Sequence, residues 1–434
     1  MASFIHRMER LYVNAFTGLP RKVWLLALVM LVNRSGAMVV AFLSVYLIGS
    51  EGFALQDAGY IMAAFGAGGV VGNYCGGLLN DRFGSWHIQV YSLVGAGLLN
   101  IALGQVSGFY ALCGLSFTIS LWADAFRPAN RAAIAVYSPP DRLAQAYGLQ
   151  RMAANLGYSV GPAAGGWLIY NYGYELMFWG DGLTFLVAAA VFYFTLPPDE
   201  TARPLVARAG EATPAASATL APASAPEHGP PAHRQPWLMA FVLANACFMM
   251  CFFQLFNIFP VFMAEVGLDE RAIGWLFTLS GVLIVAVEMP LIYAVERRYR
   301  PVPVMLFGGA LIVVAYALVA LLAGGGFWPV LGAIMVLTLG EIFYMPYTST
   351  YVSQHAPAAR RGEYLGVLSA SYSLAFVVTP LVGFAVAEDY GYAAATLVCC
   401  ATGAVGWLVL TRVNAIRTRS VGGSPWRMGR KSYL

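Results

Sequence analysis

The segment Gly161-Pro162-Ala-Ala-Gly165-Gly166-Trp-Leu-Ile-Tyr-Asn-Tyr172-Gly173-Tyr174 has a counterpart further along the chain, Thr379-Pro380-Leu-Val-Gly383-Phe-Ala-Val-Ala-Glu-Asp-Tyr390-Gly391-Tyr392. At the same constant offset Pro128 falls on Pro346, Pro139 on Pro357, Arg142 on Arg360, Gly148 on Gly366, Leu156 on Leu374 and Arg82 on Arg300. Chance matching of apolar segments accounts for shared leucine and alanine. It does not account for prolines, glycines and arginines in register, so the chain carries two copies of one backbone plan.

Composition says what that plan is built for. Of 434 residues, 59% are hydrophobic and 11% charged, and mean hydropathy is +0.67; soluble chains carry about twice that charged fraction. Apolar stretches recur near 23–49, 58–79, 86–106, 109–136, 143–171, 176–196, 236–264, 272–295, 301–323, 328–353, 364–387 and 391–411. Each is long enough to cross a hydrocarbon core of ~30 Å as a helix. The same runs exclude a β-barrel. The expected fold is therefore an all-α membrane protein of about 12 transmembrane helices in two pseudo-symmetric six-helix bundles.

The bundles are expected at 23–196 and 236–413, joined over 197–235 by an Ala/Pro-rich stretch, including Ala221-Pro-Ala-Ser-Ala-Pro, that reads as a flexible cytoplasmic linker. Residues 414–434 read as a basic cytoplasmic tail and 1–22 as a cytoplasmic N-terminal segment with the pattern of a short interfacial helix. No cleavable signal is expected over Met1–Lys22. Because each copy spans an even number of helices, the copies share one orientation in the membrane, and transporters of that design rock their halves around a central cavity.

Charge sets the sidedness. With the N-terminus inside, 21 of the 25 Lys and Arg fall on the cytoplasmic side, only Arg271 falls in an outer loop, and Arg34, Arg127 and Arg131 fall within spans. That bias predicts cytoplasmic termini. The six cysteines lie inside apolar runs without metal spacing, and read as small core hydrophobes.

Three motifs narrow the class. The loop after the second span, Gly77-Leu-Leu-Asn-Asp81-Arg82-Phe-Gly84-Ser85-Trp86, resembles the G-x-x-x-D-R-x-G-R-R signature of the major facilitator superfamily, with Ser85 and Trp86 where that signature is basic. A tight turn of this kind lets its acid engage a neighbouring helix end and lock one conformation. In the fifth span, Gly157-Tyr-Ser-Val-Gly161-Pro162-Ala-Ala-Gly165-Gly166 is similar to the G-x-x-x-G-P-x-x-G-G pattern of that superfamily's antiporters. Its glycines permit close helix approach, and Pro162 removes a backbone hydrogen bond. The fourth-span run Asp124-Ala-Phe-Arg127-Pro-Ala-Asn-Arg131 resembles the arginine-containing motif of the 12-span drug:proton antiporters. The resemblance implies the major facilitator fold, with gating at Gly77, Asp81, Arg82, Gly84, Gly157, Gly161, Pro162, Gly165 and Gly166.

An ionisable side chain in mid-span costs about 2.5–3.5 kcal/mol on insertion scales, so each one retained needs a partner or a task. Six qualify: Arg34, Asp124, Arg127, Arg131, Glu288 and Glu341. Asp124, Arg127 and Arg131 share one helix face, and Asp124 is expected to be balanced by Arg34 and Arg127, its protonation changing through the transport cycle. The alternative is a static ion pair. Glu341 has Tyr344 and Thr348 on its face and no basic residue in its helix, which suits a proton carrier or a site for a cationic group. Glu288, nearer the cytoplasmic end, is expected to reach water or a partner, and Asp181 is placed towards the outer end of its span, in reach of water. Gln254 and Asn257 add polar groups for either an interhelical bond or a substrate.

No G-x-x-x-x-G-K-[ST] loop, histidine relay or Ser/His/Asp arrangement is present. Neither a cofactor nor a metal is expected, nor enzymatic activity, nor nucleic-acid binding. The expected function is proton-coupled export of small amphiphilic or drug-like molecules by a monomer in a bacterial inner membrane. Two alternatives are a proton-coupled symporter of zwitterions such as short peptides, with a carboxylate near Arg34 and Arg127 and an amine near Glu341, and a lipid flippase.

Overall fold

The computed structural model describes residues 18–139, 142–196, 198, 230–296, 298–357 and 360–421. The expected interfacial helix and most of the linker and tail lie outside the described residues. All regular structure among the described residues is helical. The first copy comprises α1 Arg21–Ser35, α2 Met38–Gly49, α3 Leu55–Phe83, α4 Ser85–Leu103, α5 Phe109–Tyr137, α6 Leu143–Tyr172 and α7 Tyr174–Thr195. The second comprises α8 Pro236–Gln254, α9 Ile258–Glu265, α10 Glu270–Glu296, α11 Pro301–Leu322, α12 Phe327–His355, α13 Arg361–Tyr390 and α14 Tyr392–Val421.

Among the described residues, 11 segments are long and apolar enough to cross a bilayer, with α1–α2 and α8–α9 each counting as one. The remaining long helix, α6, has 30 residues and so the length to span as well. The all-α membrane fold is as expected.

The repeat is visible in the backbone. Gly173 and Gly391, the centres of the two Tyr-Gly-Tyr runs, both take φ +85° between consecutive helices, a conformation that only glycine adopts without steric cost. Proline lies inside α5 and α12 at Pro128 and Pro346, and inside α6 and α13 at Pro162 and Pro380. Such prolines are tolerated in membrane helices because neighbouring groups satisfy the freed carbonyls.

Hydropathy gives no hint of one feature: the first and seventh spans are each broken. The chain leaves helical geometry at Gly36-Ala37 and again at Leu255-Phe256-Asn257; at the repeat offset Gly36-Ala37 falls on Gln254-Leu255, so the two breaks overlap at Leu255. Around the second break Leu255 N bonds to Phe252 O at 3.1 Å and Asn257 N to Gln254 O at 3.2 Å, tightening the chain before α9.

Two compact units result. Of the described residues, one contains those up to Leu43, those from Ala64 to the end of α7, and Glu270–Val285; the other contains Ser44–Ala63, those from Pro230 to Asp269, and those from Ala286 onward. Each copy therefore lends a segment to the unit built mainly from the other. In the first unit α1 packs on α6 and α7, and α4 on α5 and α7, around Leu26, Val29, Phe126, Ile134, Leu149, Phe185 and Phe192. In the second, α8 packs on α13 and α14, and α11 on α12 and α14, around Phe241, Phe248, Met305, Tyr344, Tyr351 and Phe384. Outward faces keep large apolar side chains exposed, including Trp24, Tyr74, Leu98, Trp167, Phe194 and Trp328, as a lipid-facing surface requires.

Two boundaries differ from expectation. The last helix continues to Val421, so the start of the basic tail is helical. The end of the linker is tied down: Ala232 N donates to Glu363 Oε1 at 2.8 Å, and Tyr364 Oη donates to Pro230 O at 3.0 Å.

Candidate functional site

In the first unit Arg34 lies on α1, and Asp124, Arg127 and Arg131 lie on α5. Asp124 is buried at 8% exposure, and Arg127, one turn on, places Nε 2.8 Å from Asp124 Oδ1. Pro128 has no N–H for the carbonyl four residues back, which is that of Asp124. Opposite, α3 leaves room for the acid by means of glycine: a Cβ on Gly69 would stand 2.5 Å from Asp124 Oδ2 and 2.9 Å from Ser120 Oγ. The expected pairing of Asp124 with Arg127 is thus present in the geometry. Arg131 is exposed, beyond the acid rather than against it. Arg34 is half-buried, its guanidinium 5.3 Å from the centre of the Tyr158 ring on α6.

The fifth-span glycines pack on the break in the first span. A Cβ on Gly157 would lie 2.6 Å from Arg34 Cβ and 2.8 Å from Leu31 O; one on Gly161 would lie 3.1 Å from Ala37 N; one on Gly165 would lie 2.9 Å from Met38 Cβ. Another face of α6 meets α10, where a Cβ on Gly281 would stand 2.8 Å from Ser159 Cα, and Gly274 lies against Pro162 and Gly166 against Glu270. The glycine motif is therefore the seat on which α6 meets both α1–α2 and α10. Two contacts where α6 ends and α10 begins add to it: Arg271 stacks 3.5 Å over the Tyr170 ring, and Tyr174 Oη donates to Glu270 Oε1 at 3.3 Å.

The loop motif is placed differently from the latch it resembles. Asp81 and Arg82 are exposed; Asp81 Oδ1 accepts from Asn80 Nδ2 at 3.4 Å, and Arg82 lies over Phe83. Gly77 has open space around it, whereas Gly84 turns the chain at φ +83°. Trp86, where the family pattern is basic, donates from its indole Nε1 to Leu196 O at 2.8 Å, so it binds the end of α7 directly.

In the second unit Glu341 is 6% exposed, and its Oε1 has no hydrogen-bond partner among the described residues. Glu288 on α10 is also buried and lies within its electrostatic reach. Of the two outcomes expected for Glu288, water or a partner, its burial on α10 leaves the partner. Two acids in one another's field form an arrangement suited to holding a proton or a cation. Tyr344 is fully buried, its ring 4.5 Å from that of Phe248 and its hydroxyl 3.3 Å from Asn245 Oδ1. Asn245 Nδ2 donates to Ser371 Oγ at 2.8 Å, and Thr348 Oγ1 lies 3.1 Å from Tyr372 Oη. A polar network thus joins α8, α12 and α13. Sequence reading passed over Asn245, Ser371 and Tyr372, although an amide inside an apolar run was a usable signal.

Gln254 and Asn257 bind backbone at the second break. Gln254 Nε2 donates to Thr379 O at 3.1 Å beside Gly383, and Asn257 Nδ2 donates to Phe253 O at 2.6 Å. Tyr316 of α11 donates its hydroxyl to Cys251 O, a carbonyl released where Leu255 N turns to Phe252 O. Among the described residues no cluster of three or more His, Cys, Asp or Glu is placed to hold a metal.

A duplicated helical bundle with broken spans and buried charges defines a membrane transporter. The Major Facilitator Superfamily profile matches residues 23–269 and 241–427, and the chain belongs to that superfamily. Over 385 residues it is 26% identical to the multidrug resistance protein MdtH of Aeromonas salmonicida (strain A449), covering 85% of this chain and 88% of the relative. Over 372 residues it is 24% identical to a Na(+), Li(+), K(+)/H(+) antiporter of Planococcus maritimus, covering 80% and 85%. A crystal structure of the peptide transporter POT in complex with alafosfalin superposes with a TM-score of 0.75 at 17% identity, covering 92% of this chain and 96% of that one; at that identity the likeness concerns the fold.

Proposed function

We propose that this superfamily member is a proton-coupled antiporter that exports small amphiphilic, cationic molecules by alternating access, as a monomer in a bacterial inner membrane with both termini cytoplasmic. One observation carries the reading: Glu341, buried with an unpartnered carboxyl oxygen, near a second buried acid and in a helix without Lys or Arg. A desolvated acid pair of this kind exchanges a proton for a cationic group, and the neighbouring rings of Tyr344 and Phe248 match an amphiphilic cation. The Asp124–Arg127 pair gives the first unit a group whose charge can follow the cycle. Similarity to a multidrug resistance protein and to a cation/proton antiporter supports the same class.

The test is uptake of tetraphenylphosphonium into proteoliposomes of purified full-length protein with an imposed pH gradient. An acid lumen drives accumulation by molecules whose cytoplasmic face is outward. E341Q lowers the driven rate by about tenfold or more, equivalent to ~1.4 kcal/mol in the barrier. Uptake that ignores a collapsed proton gradient, or that runs in the same direction as the protons, overturns the reading.

A further inference from the structure

Asp181 belongs to neither group of charges above. Sequence position placed it in reach of water; in the structure it is 2% exposed. Its Oδ2 accepts from Val39 N at 3.0 Å, in the first turn of α2. Its Oδ1 has no partner among the described residues and points into the break in the first span, where a Cβ on Gly36 would stand 2.6 Å from it. A helix start pinned by a carboxylate, with the second oxygen left over and aimed at the end of the preceding helix, is a site with two occupancies.

We propose that Asp181 is a proton-binding site that sets the geometry of the break between α1 and α2. Ionised, it offers Val39 N–H an anionic acceptor and faces the positive end of α2. A proton taken from water onto Oδ1 removes that charge and creates an O–H donor. The acceptors assigned to it are the carbonyls of the last turn of α1 whose usual donors, Gly36 N and Ala37 N, have both turned to Arg34 O. Release of the proton to water reverses the step, with no other bond made or broken. Discontinuous helices are where many secondary transporters place ion sites, and here Arg34 stands two residues before Gly36.

On its own helix, Thr184 Oγ1 also lies at Gly36 and donates to Asp181 O at 2.7 Å. From α1, Arg34 is the charge whose field reaches it. From α4, Gly97 and Ile101 face the adjacent Gly182, while His87 and Tyr91 lie near the other end of that helix. From α6, Leu168 meets Gly180; Tyr158 lies under Arg34, Tyr170 under Arg271, and Arg151 near the opposite end. From α2, Met38 approaches Gly180, and Tyr46 is bound to Glu51.

Any link to transport rests on the proposed function, so the experiment uses no substrate. The full-length protein, reconstituted in phosphatidylcholine/phosphatidylglycerol vesicles, is titrated from mildly acid to mildly alkaline buffer by infrared difference spectroscopy. Wild type and E341Q both show a titrating protonated-carboxyl band; D181N lacks it, and D181E, which keeps an acid, shows it displaced. Hydrogen exchange of the peptide containing Val39, corrected for intrinsic rates, is slower in alkaline buffer in wild type and flat in D181N. A D181N spectrum that titrates as wild type does overturns the proposal. If D181N does not fold, absence of any titrating band in D181E, or pH-independent exchange at Val39 in wild type, overturns it equally.

Discussion

Replacing Tyr316 with Phe removes one hydroxyl and keeps the ring in place, so it isolates the hydrogen bond that closes the seventh-span break. The bond runs to Cys251 O, whose usual donor, Leu255 N, has turned to Phe252 O. Tyr316 is 2% exposed and Cys251 1%, so no water reaches the carbonyl once the hydroxyl is gone. Leaving a buried acceptor unpaired costs about 1–3 kcal/mol. Interhelical bonds in membranes measure lower, averaging about 0.6 and reaching about 1.7 kcal/mol, because the unfolded chain in the bilayer finds partners too. For a carbonyl released by a helix break, with one donor available, the upper part of that range applies, at about 1.5 kcal/mol. The assay is equilibrium unfolding of full-length protein in mixed micelles of dodecyl maltoside and dodecyl sulfate. Hydrogen exchange over Leu255–Ile258 is read alongside and quickens if the break loosens. A Y316F variant within about 0.3 kcal/mol of wild type, inside the usual error of such comparisons, with unchanged exchange, refutes the claim that this hydroxyl secures the break.

Two further outcomes follow from the geometry. Gly391→Ala forces a Cβ into φ +85°, ψ 165°, a region almost wholly reserved for glycine, and costs about 1–3 kcal/mol in the same unfolding assay, while Gly403→Ala, at negative φ, meets Val313 Cγ2 at 3.0 Å and serves as the packing control; equal losses would show that backbone conformation is not the reason for glycine at 391. Asp124→Asn keeps the size of the side chain but not its charge beside Arg127, so proton-driven tetraphenylphosphonium accumulation is lost while exchange at equal pH on both sides survives. Driven transport with unchanged pH dependence in D124N marks the pair as a packing element.

Much of the architecture was legible because it follows from local or periodic properties. Hydropathy over spanning lengths placed the helices. Prolines and glycines in register disclosed the duplication before any coordinate was needed. The site was less legible. Asp124 and Arg127 meet because residues three apart on a helix are neighbours, a relation sequence contains. Arg34 lies on Tyr158 and Asp181 reaches Val39, relations set by how α1, α6 and α7 pack. Gln254 and Asn257 stood out as polar, yet nothing in their spacing told that both would bind backbone at a break.

By itself the sequence determined a duplicated, membrane-embedded helical chain, since apolar length and glycine and proline positions act through the chain's own geometry and its solvent. Tertiary structure alone decided where the first and seventh spans break, which acids are dry, and what each retained charge faces. A hydropathy window averages over a whole span and cannot register two or three residues leaving the helix. Burial of Asp181 and Glu288 depends on which neighbouring helix covers them, and that is a property of packing between segments far apart in the chain.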